Sequence, residues 1–180
     1  MTTSVSVGEL RERAARVLQA VTLRDVSLHS ISAKGANPHL AGPFTVKQGI
    51  NVKGEASENG DGVQAWAMYQ VEAFPTSDEG HPDSSSAEAA WSLNIEMIAD
   101  YPFESGSGER FDREHLMAFS IIVGLMAIHP YARETVQNIT GRLGYPPFTL
   151  EMLEPVSAGD DDDIIQIEMD PDSLAGGAAS

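Results

Sequence analysis

An α+β fold, a four-stranded antiparallel sheet followed by two C-terminal helices packed on one face, with a short N-terminal helix ahead of it, is what the order of apolar patterns predicts. Three observations carry this reading. Four segments between residues 21 and 99 alternate apolar and polar side chains with a period of two. Turns and loops, with no helical crossover, join them, so neighbouring strands run antiparallel. An almost unbroken apolar run, Leu116 to Ile128, follows the strands instead of separating them, and its Leu, Met and Ala are good helix formers.

The N-terminal helix is expected over residues 8–20, with Leu10, Ala14, Val17 and Leu18 on one side and the arginines on the other. Ser6 stands at its N-cap with Glu9 three residues on. So short an apolar stripe is expected to pack on the edge of the sheet. Val26, Leu28 and Ser30 against Ser27, His29 and Ile31 mark the first strand, within Val21 to Ala33, and Gly35 to Pro43 is a loop. The second strand sets Phe44, Val46, Ile50 and Val52 against Thr45, Lys47, Asn51 and Lys53, one buried face and one wet face. After a turn at Gly60-Asp61-Gly62 the third strand runs from Val63 to Phe74. Val63, Ala65, Ala67, Tyr69 and Val71 point one way, and Trp66, Met68 and Phe74 make the opposite face partly apolar too. A polar loop, Pro75 to Ser86, leads to the fourth strand, Ala87 to Ala99, with Ala89, Trp91, Leu93, Ile95 and Met97 in phase; Glu104 to Glu109 links it to the helices.

Those helices are expected over 111–128 and 130–143. Proline lacks an amide hydrogen and disfavours helix in its predecessor, so His129-Pro130 reads as a break and Pro130 as the opening of the second helix. Ala132, Val136, Ile139 and Leu143 form one stripe of that helix, and Gly144 stops it. Phe148 to Leu153 then runs extended, either as a final strand or as a peptide packed on the body. The apolar run, Leu116 to Ile128, is shorter than the about 20 residues of a membrane span, so no membrane insertion is expected. It is either the central helix of one core or a helix partly covered by a second copy of the chain.

With 180 residues and 42% hydrophobic content, the chain suits a single domain, placed at 1–157. Residues 158–180, with Asp160 to Asp163, Glu168, Asp170 and Asp172, read as an acidic disordered tail without the ligand spacing of a calcium loop. A net charge of −16 argues against nucleic acid as a partner. Without cysteine there are no disulfides or thiolate sites, and without a signal-like start the expected compartment is the cytoplasm. His29, His39, His81, His115 and His129 are scattered with no metal-ligand spacing, and neither a nucleophile elbow nor a phosphate loop is present. No enzyme, cofactor or metal is expected.

Two stretches then stand out: HPYARE (His129, Pro130, Tyr131, Ala132, Arg133, Glu134) and TGRLGYPPFTLEML (Thr140 to Leu153). In this order after an apolar helix, they resemble the SecB family of export chaperones, and in particular the SecB-like chaperones of toxin–antitoxin operons. The resemblance spans 111–153 and extends over 22–103 by element order. His129 departs from it, since the bacterial export chaperones usually have an apolar aromatic residue there. The resemblance implies an ATP-independent holdase, a homotetramer built as a dimer of dimers. It would bind unfolded or pre-secretory proteins in grooves between sheet and first long helix, for export or for antitoxin control. Met and aromatic side chains suit such grooves by adaptability and area. The candidates are Trp66, Met68, Trp91, Tyr101, Phe103, Leu116, Met117 and Phe119, each of which could equally be core. Arg24-Asp25-Val26-Ser27-Leu28 is similar to the family's first-strand motif, which makes Asp25 the carried-over contact for the SecA motor. The next acidic position falls on His29, so SecA and an antitoxin both stay open as partners. The alternative is a scaffold protein that offers the same surface to one fixed partner.

Overall fold

The computed structural model describes residues 2–36, 42–76, 89–104, 110–156, 161 and 164–168; for 2, 3 and 164–168 only the backbone is described. Most of the expected loops Gly35–Pro43 and Pro75–Ser86, the link Glu104–Glu109, and the rest of the acidic tail lie outside these residues.

A short strand, β1 (Thr2–Ser6), leads into helix α1 (Val7–Leu18). Four long strands follow, β2 (Asp25–Gly35), β3 (Phe44–Ala56), β4 (Gly62–Pro75) and β5 (Trp91–Pro102), in one antiparallel sheet of order β2-β5-β4-β3. β2 therefore crosses over to pair with β5, with a bulge at His29 between Leu28 and Ser30. The alternation expected of β4 and β5 is met: Val63, Ala65, Ala67, Tyr69 and Val71 are buried, as are Trp91, Leu93, Ile95, Met97 and, past the expected end at Ala99, Tyr101. Gly60, at φ +68°, closes the β3–β4 hairpin, and Ser57 ties it by accepting from the Asp61 amide at 3.1 Å.

The helical layer differs from the expected pair. Helix α2 (Arg113–Phe119), a π-helical turn (Ser120–Gly124) and α3 (Leu125–Arg142) run on as one helix. Asp112 caps its start, accepting from the His115 amide at 3.0 Å, and that bond and the bond to the His115 ring hold the Asp112 carboxyl below the usual range. Pro130 lies inside α3, so the expected break at His129-Pro130 does not occur. The missing bond falls on the solvent side, where Met126 and Pro130 are exposed and water can take the orphaned carbonyl, while buried Ile128, His129 and Ala132 hold the opposite side. The joined helix, 30 residues from Arg113 to Arg142, is long and apolar enough to cross a membrane, so the length argument above no longer applies. Its buried stripe is that of a core helix: Leu116, Ser120, Gly124, Ile128, Ala132, Val136 and Thr140, every fourth residue, face inward.

The end of α3 closes as expected at Gly144, at φ +86°. The Gly144 amide donates to the Gly141 carbonyl and the Tyr145 amide to the Thr140 carbonyl, both at 3.2 Å, a Schellman arrangement. Tyr145 to Val156 then returns as a strap packed on the body, the second of the two expected outcomes. Its Tyr145 hydroxyl donates to the Ala90 carbonyl at 2.6 Å, Phe148 lies 5.9 Å from Trp91, and Leu150 is buried.

Two expectations at the ends are corrected. Helix α1 packs on α2 and not on the sheet edge: Leu10 and Ala14 form a small cluster with Val5 and Ala118, and Val17 enters the main core. The tail is not wholly without structure, because β6 (Ile164–Glu168) pairs antiparallel with β1, from Thr2 opposite Glu168 to Ser6 opposite Ile164. The N-terminus of α1 is satisfied from both sides: the Glu9 amide donates to Ser6 Oγ at 3.2 Å and the Gly8 amide to the Asp161 carbonyl at 3.1 Å.

Candidate protein-binding surfaces

The eight expected groove residues divide into two sets. Trp91, Tyr101, Leu116 and Phe119 are core, with Phe119 fully buried. The period-two alternation turns Trp91 and Tyr101 toward the helices, and the helical stripe turns Leu116 and Phe119 toward the sheet. Tyr101 and Phe119 meet edge to face at 4.8 Å, and desolvation pushes the Tyr101 hydroxyl up to about 12. Within one chain, the space between sheet and helix is filled.

Trp66 and Met68 lie on the outer face of β4, away from the helices, in register with Ile98 and Glu96. Trp66 sits half-buried in a small box. The His29 ring meets it edge-on at 4.9 Å, Lys53 Nζ stands 5.3 Å from its centroid, and its buried Nε1 finds no partner among the described residues. The bulge at His29 aims that side chain at the tryptophan. Met68 is 45% exposed. Phe103 and Met117 are half-buried on other elements, Phe103 stacked 6.2 Å from Phe111, so the structure does not gather the candidates into one groove.

Sequence reasoning missed the largest exposed apolar positions. Leu28 and Ile31, at 46% and 40% exposure, share the inner face of β2 with Val26, but β2 is an edge strand that the helical layer covers only in part. Met126 and Tyr131 project from the outer side of α3, and Met152 from the strap. Alternation sets Leu28 and Ile31 on opposite phases, and the bulge at His29 brings them to one face; neither the bulge nor the strand order, which decides whether that face is covered, has a local signal. Asp25, the expected motor contact, is exposed at the start of β2, opposite Asp100, which pairs with Arg24.

Two of the HPYARE residues, His129 and Arg133, hold the strap. His129 is buried at the centre: the Tyr69 hydroxyl donates to Nδ1 at 3.2 Å, and Nε2 donates to the Glu151 carbonyl at 2.8 Å. A neutral ring satisfies both bonds, and burial, with the nearby Arg133 charge, pushes its pKa down against the opposing effect of the Glu151 bond. Ala132 packs fully buried, Arg133 contacts Met152 Sδ, and Pro130, Tyr131 and Glu134 face solvent. Thr140 completes the fastening, accepting from the Phe148 amide at 2.9 Å. Both motifs thus bind the strap to α3.

Among the described residues no three His, Asp or Glu side chains converge as for a metal. A cavity of about 440 Å³ lies between the end of α1 and the start of α2, lined by Arg16, Gln19, Arg110, Phe111, Asp112 and His115. The whole is an open antiparallel sheet backed by one helical layer, with apolar side chains exposed on its edge strand, outer face and long helix.

No family model matches the chain. The SecB-like chaperone MT2006 of Mycobacterium tuberculosis is 30% identical over 152 residues, 82% of this chain and 74% of that protein. The SecB-like chaperone Rv1957 of the same species is 36% identical over 80 residues, 43% of this chain and only 44% of Rv1957. The chain belongs to the family of SecB-like chaperones. Its fold matches that of Rv1957 solved in complex with a ChAD peptide from the Rv1956 HigA1 antitoxin, with a TM-score of 0.63 at 23% identity, covering 80% of this chain and 98% of that one.

Proposed function

We propose that this protein is an ATP-independent holdase that keeps extended, aggregation-prone polypeptides soluble, an antitoxin foremost among them. The observation that carries this is the apolar surface left open where an extended peptide can lie, Leu28 and Ile31 beside the helical layer and Met68 on the outer face. Family membership and the antitoxin peptide held by Rv1957 support it. Burying one such side chain is worth roughly 1.5–3 kcal/mol, so several shallow contacts give useful affinity without a sequence code. The reading includes a cytoplasmic homotetramer, in which second copies cover part of Met126 and Tyr131, and no catalytic step. Delivery to an export motor through Asp25 belongs to it as a secondary role; His29 in place of a second acidic residue favours a dedicated antitoxin client.

The test is light scattering of a denatured protein, and of a cognate antitoxin, diluted with and without the chain, beside absolute mass in solution. Near-stoichiometric suppression by a species of four chains is expected. Leu28→Ser with Ile31→Ser should weaken client binding by about tenfold or more, since each removes about half of a buried side chain's contribution; Trp66→Ser with Met68→Ser measures the outer face in the same way. Unchanged scattering in the presence of the unsubstituted chain would refute the holdase.

A further inference from the structure

The β1–β6 ribbon stands apart from the main sheet, and its second strand comes from the acidic end of the chain. Each strand has five residues, and a two-stranded ribbon of that size is marginal by itself. β1 is fixed from below: Val5 is buried with Leu10, Ala14 and Ala118, and Ile122 packs against them. β6 is joined to the body by the ladder and by Asp161, whose carbonyl accepts from the Gly8 amide and whose carboxylate pairs with Arg11. At Gly8 the approach is close, since an added Cβ would lie 3.2 Å from Asp161 Cβ. Of the α1 arginines, Arg11 is the one that pairs with Asp161, while Arg13 pairs with Glu9 and Glu114 and Arg16 with Glu12.

We propose that β1, with the Gly8 amide and Arg11, is a strand-addition site for an extended segment of another protein. That segment carries an acidic residue a few positions ahead of a β-branched apolar run, and the chain's own Asp161–Glu168 is the occupant it displaces. An edge strand supplies backbone bonds to any extended peptide, and side-chain contacts choose among peptides. Asp161, followed by Ile164 and Ile165, has this pattern itself. A segment of the same chain competes at an effective concentration on the order of millimolar, so only a matched segment displaces it. The identity of the displacing segment as a client rests on the holdase reading; occupation of the site by the tail does not.

The experiment uses the full chain with Ile165→Pro and Gln166→Pro, adjacent positions of which one donates to the ladder with β1. A labelled synthetic peptide of residues 159–170 should bind this variant saturably and at least tenfold more tightly than it binds the natural chain. Arg11→Glu added to the variant should reduce that binding at least tenfold. Hydrogen exchange is the second readout: β1 amides protected in the natural chain, exposed in the proline variant and protected again by the peptide, with β4 amides protected throughout. Equal binding to both chains, or β1 protection unchanged by the prolines, overturns the proposal. So does a dimer of the natural chain that the prolines dissociate, since β6 would then sit on a second copy. None of these readouts depends on suppression of aggregation, so failure here and failure of the holdase reading are separate results.

Discussion

Gly54→Ala should destabilise the chain by about 3 kcal/mol or more in urea unfolding, and Gly124→Ala by a comparable amount. A Cβ added at Gly54 would lie 2.2 Å from the Leu116 carbonyl oxygen and 2.5 Å from its carbon; at Gly124 it would lie 2.2 Å from the Ala65 Cβ. In both cases the obstacle is backbone or the first side-chain atom, so no rotamer change relieves it. Sheet and helix would have to separate along the seam where Ala65, Gly124 and Ser120 are buried. Gly49, on the same strand as Gly54, is the control. Nothing lies within 4 Å of an added Cβ there, and alanine should be neutral or slightly stabilising, because glycine in a strand costs conformational entropy. Equal effects at Gly49 and Gly54 would refute the close approach.

His129→Ala should cost about 3 kcal/mol, since it opens a cavity under the strap and strands the Tyr69 hydroxyl and the Glu151 carbonyl, both His129 partners. The pH dependence follows from the depressed pKa. Above the ordinary value of 6.5 the ring is neutral folded and unfolded, and the contribution is complete. Below it the unfolded chain takes the proton first, so stability falls as pH drops from 6.5 toward the folded pKa, with a slope of at most about 1.4 kcal/mol per pH unit. His129→Phe, the aromatic type usual in the export chaperones, should remove this slope while costing about 1–3 kcal/mol for the two unpaired groups. Denaturant midpoints at pH 7, 6 and 5 for both chains decide it; parallel curves would show that His129 does not carry a proton-linked bond.

Legibility in the sequence followed how local the cause was. The buried phases of β4 and β5, the Ser6 cap and the Gly144 stop depend on a few consecutive residues and were readable. Continuation through Pro130 was not, because propensity at a proline is overridden by what Ile128 and Ala132 bury in the tertiary structure. β6 lay hidden in an acidic stretch, its partner β1 about 160 residues away in sequence, where neither strand is long enough to be recognised alone. The site divided in the same way. Trp66 and Met68 were readable as a second apolar face, whereas Trp91, Tyr101, Leu116 and Phe119 have a composition that suits a core or a groove equally. Leu28 and Ile31 needed the bulge and the strand order, and the resemblance carried by HPYARE named the family through a motif whose His129 and Arg133 fasten a strap.

The π turn at Ser120–Gly124 amounts to one residue more than the helical ladder needs. An inward stripe at every fourth residue, from Leu116 to Thr140, would wind roughly 240° around a regular α-helix, and one surplus residue takes back about 100° of that. Deleting a single residue there would therefore repair the hydrogen-bond ladder and ruin the protein: every position after the cut would turn by about 100°, carrying Ile128, Ala132 and Val136 off the sheet and pulling His129 from beneath the strap. The irregularity acts as a phase correction between two halves of one helix, and a perfectly regular helix of the same composition would not fit this sheet.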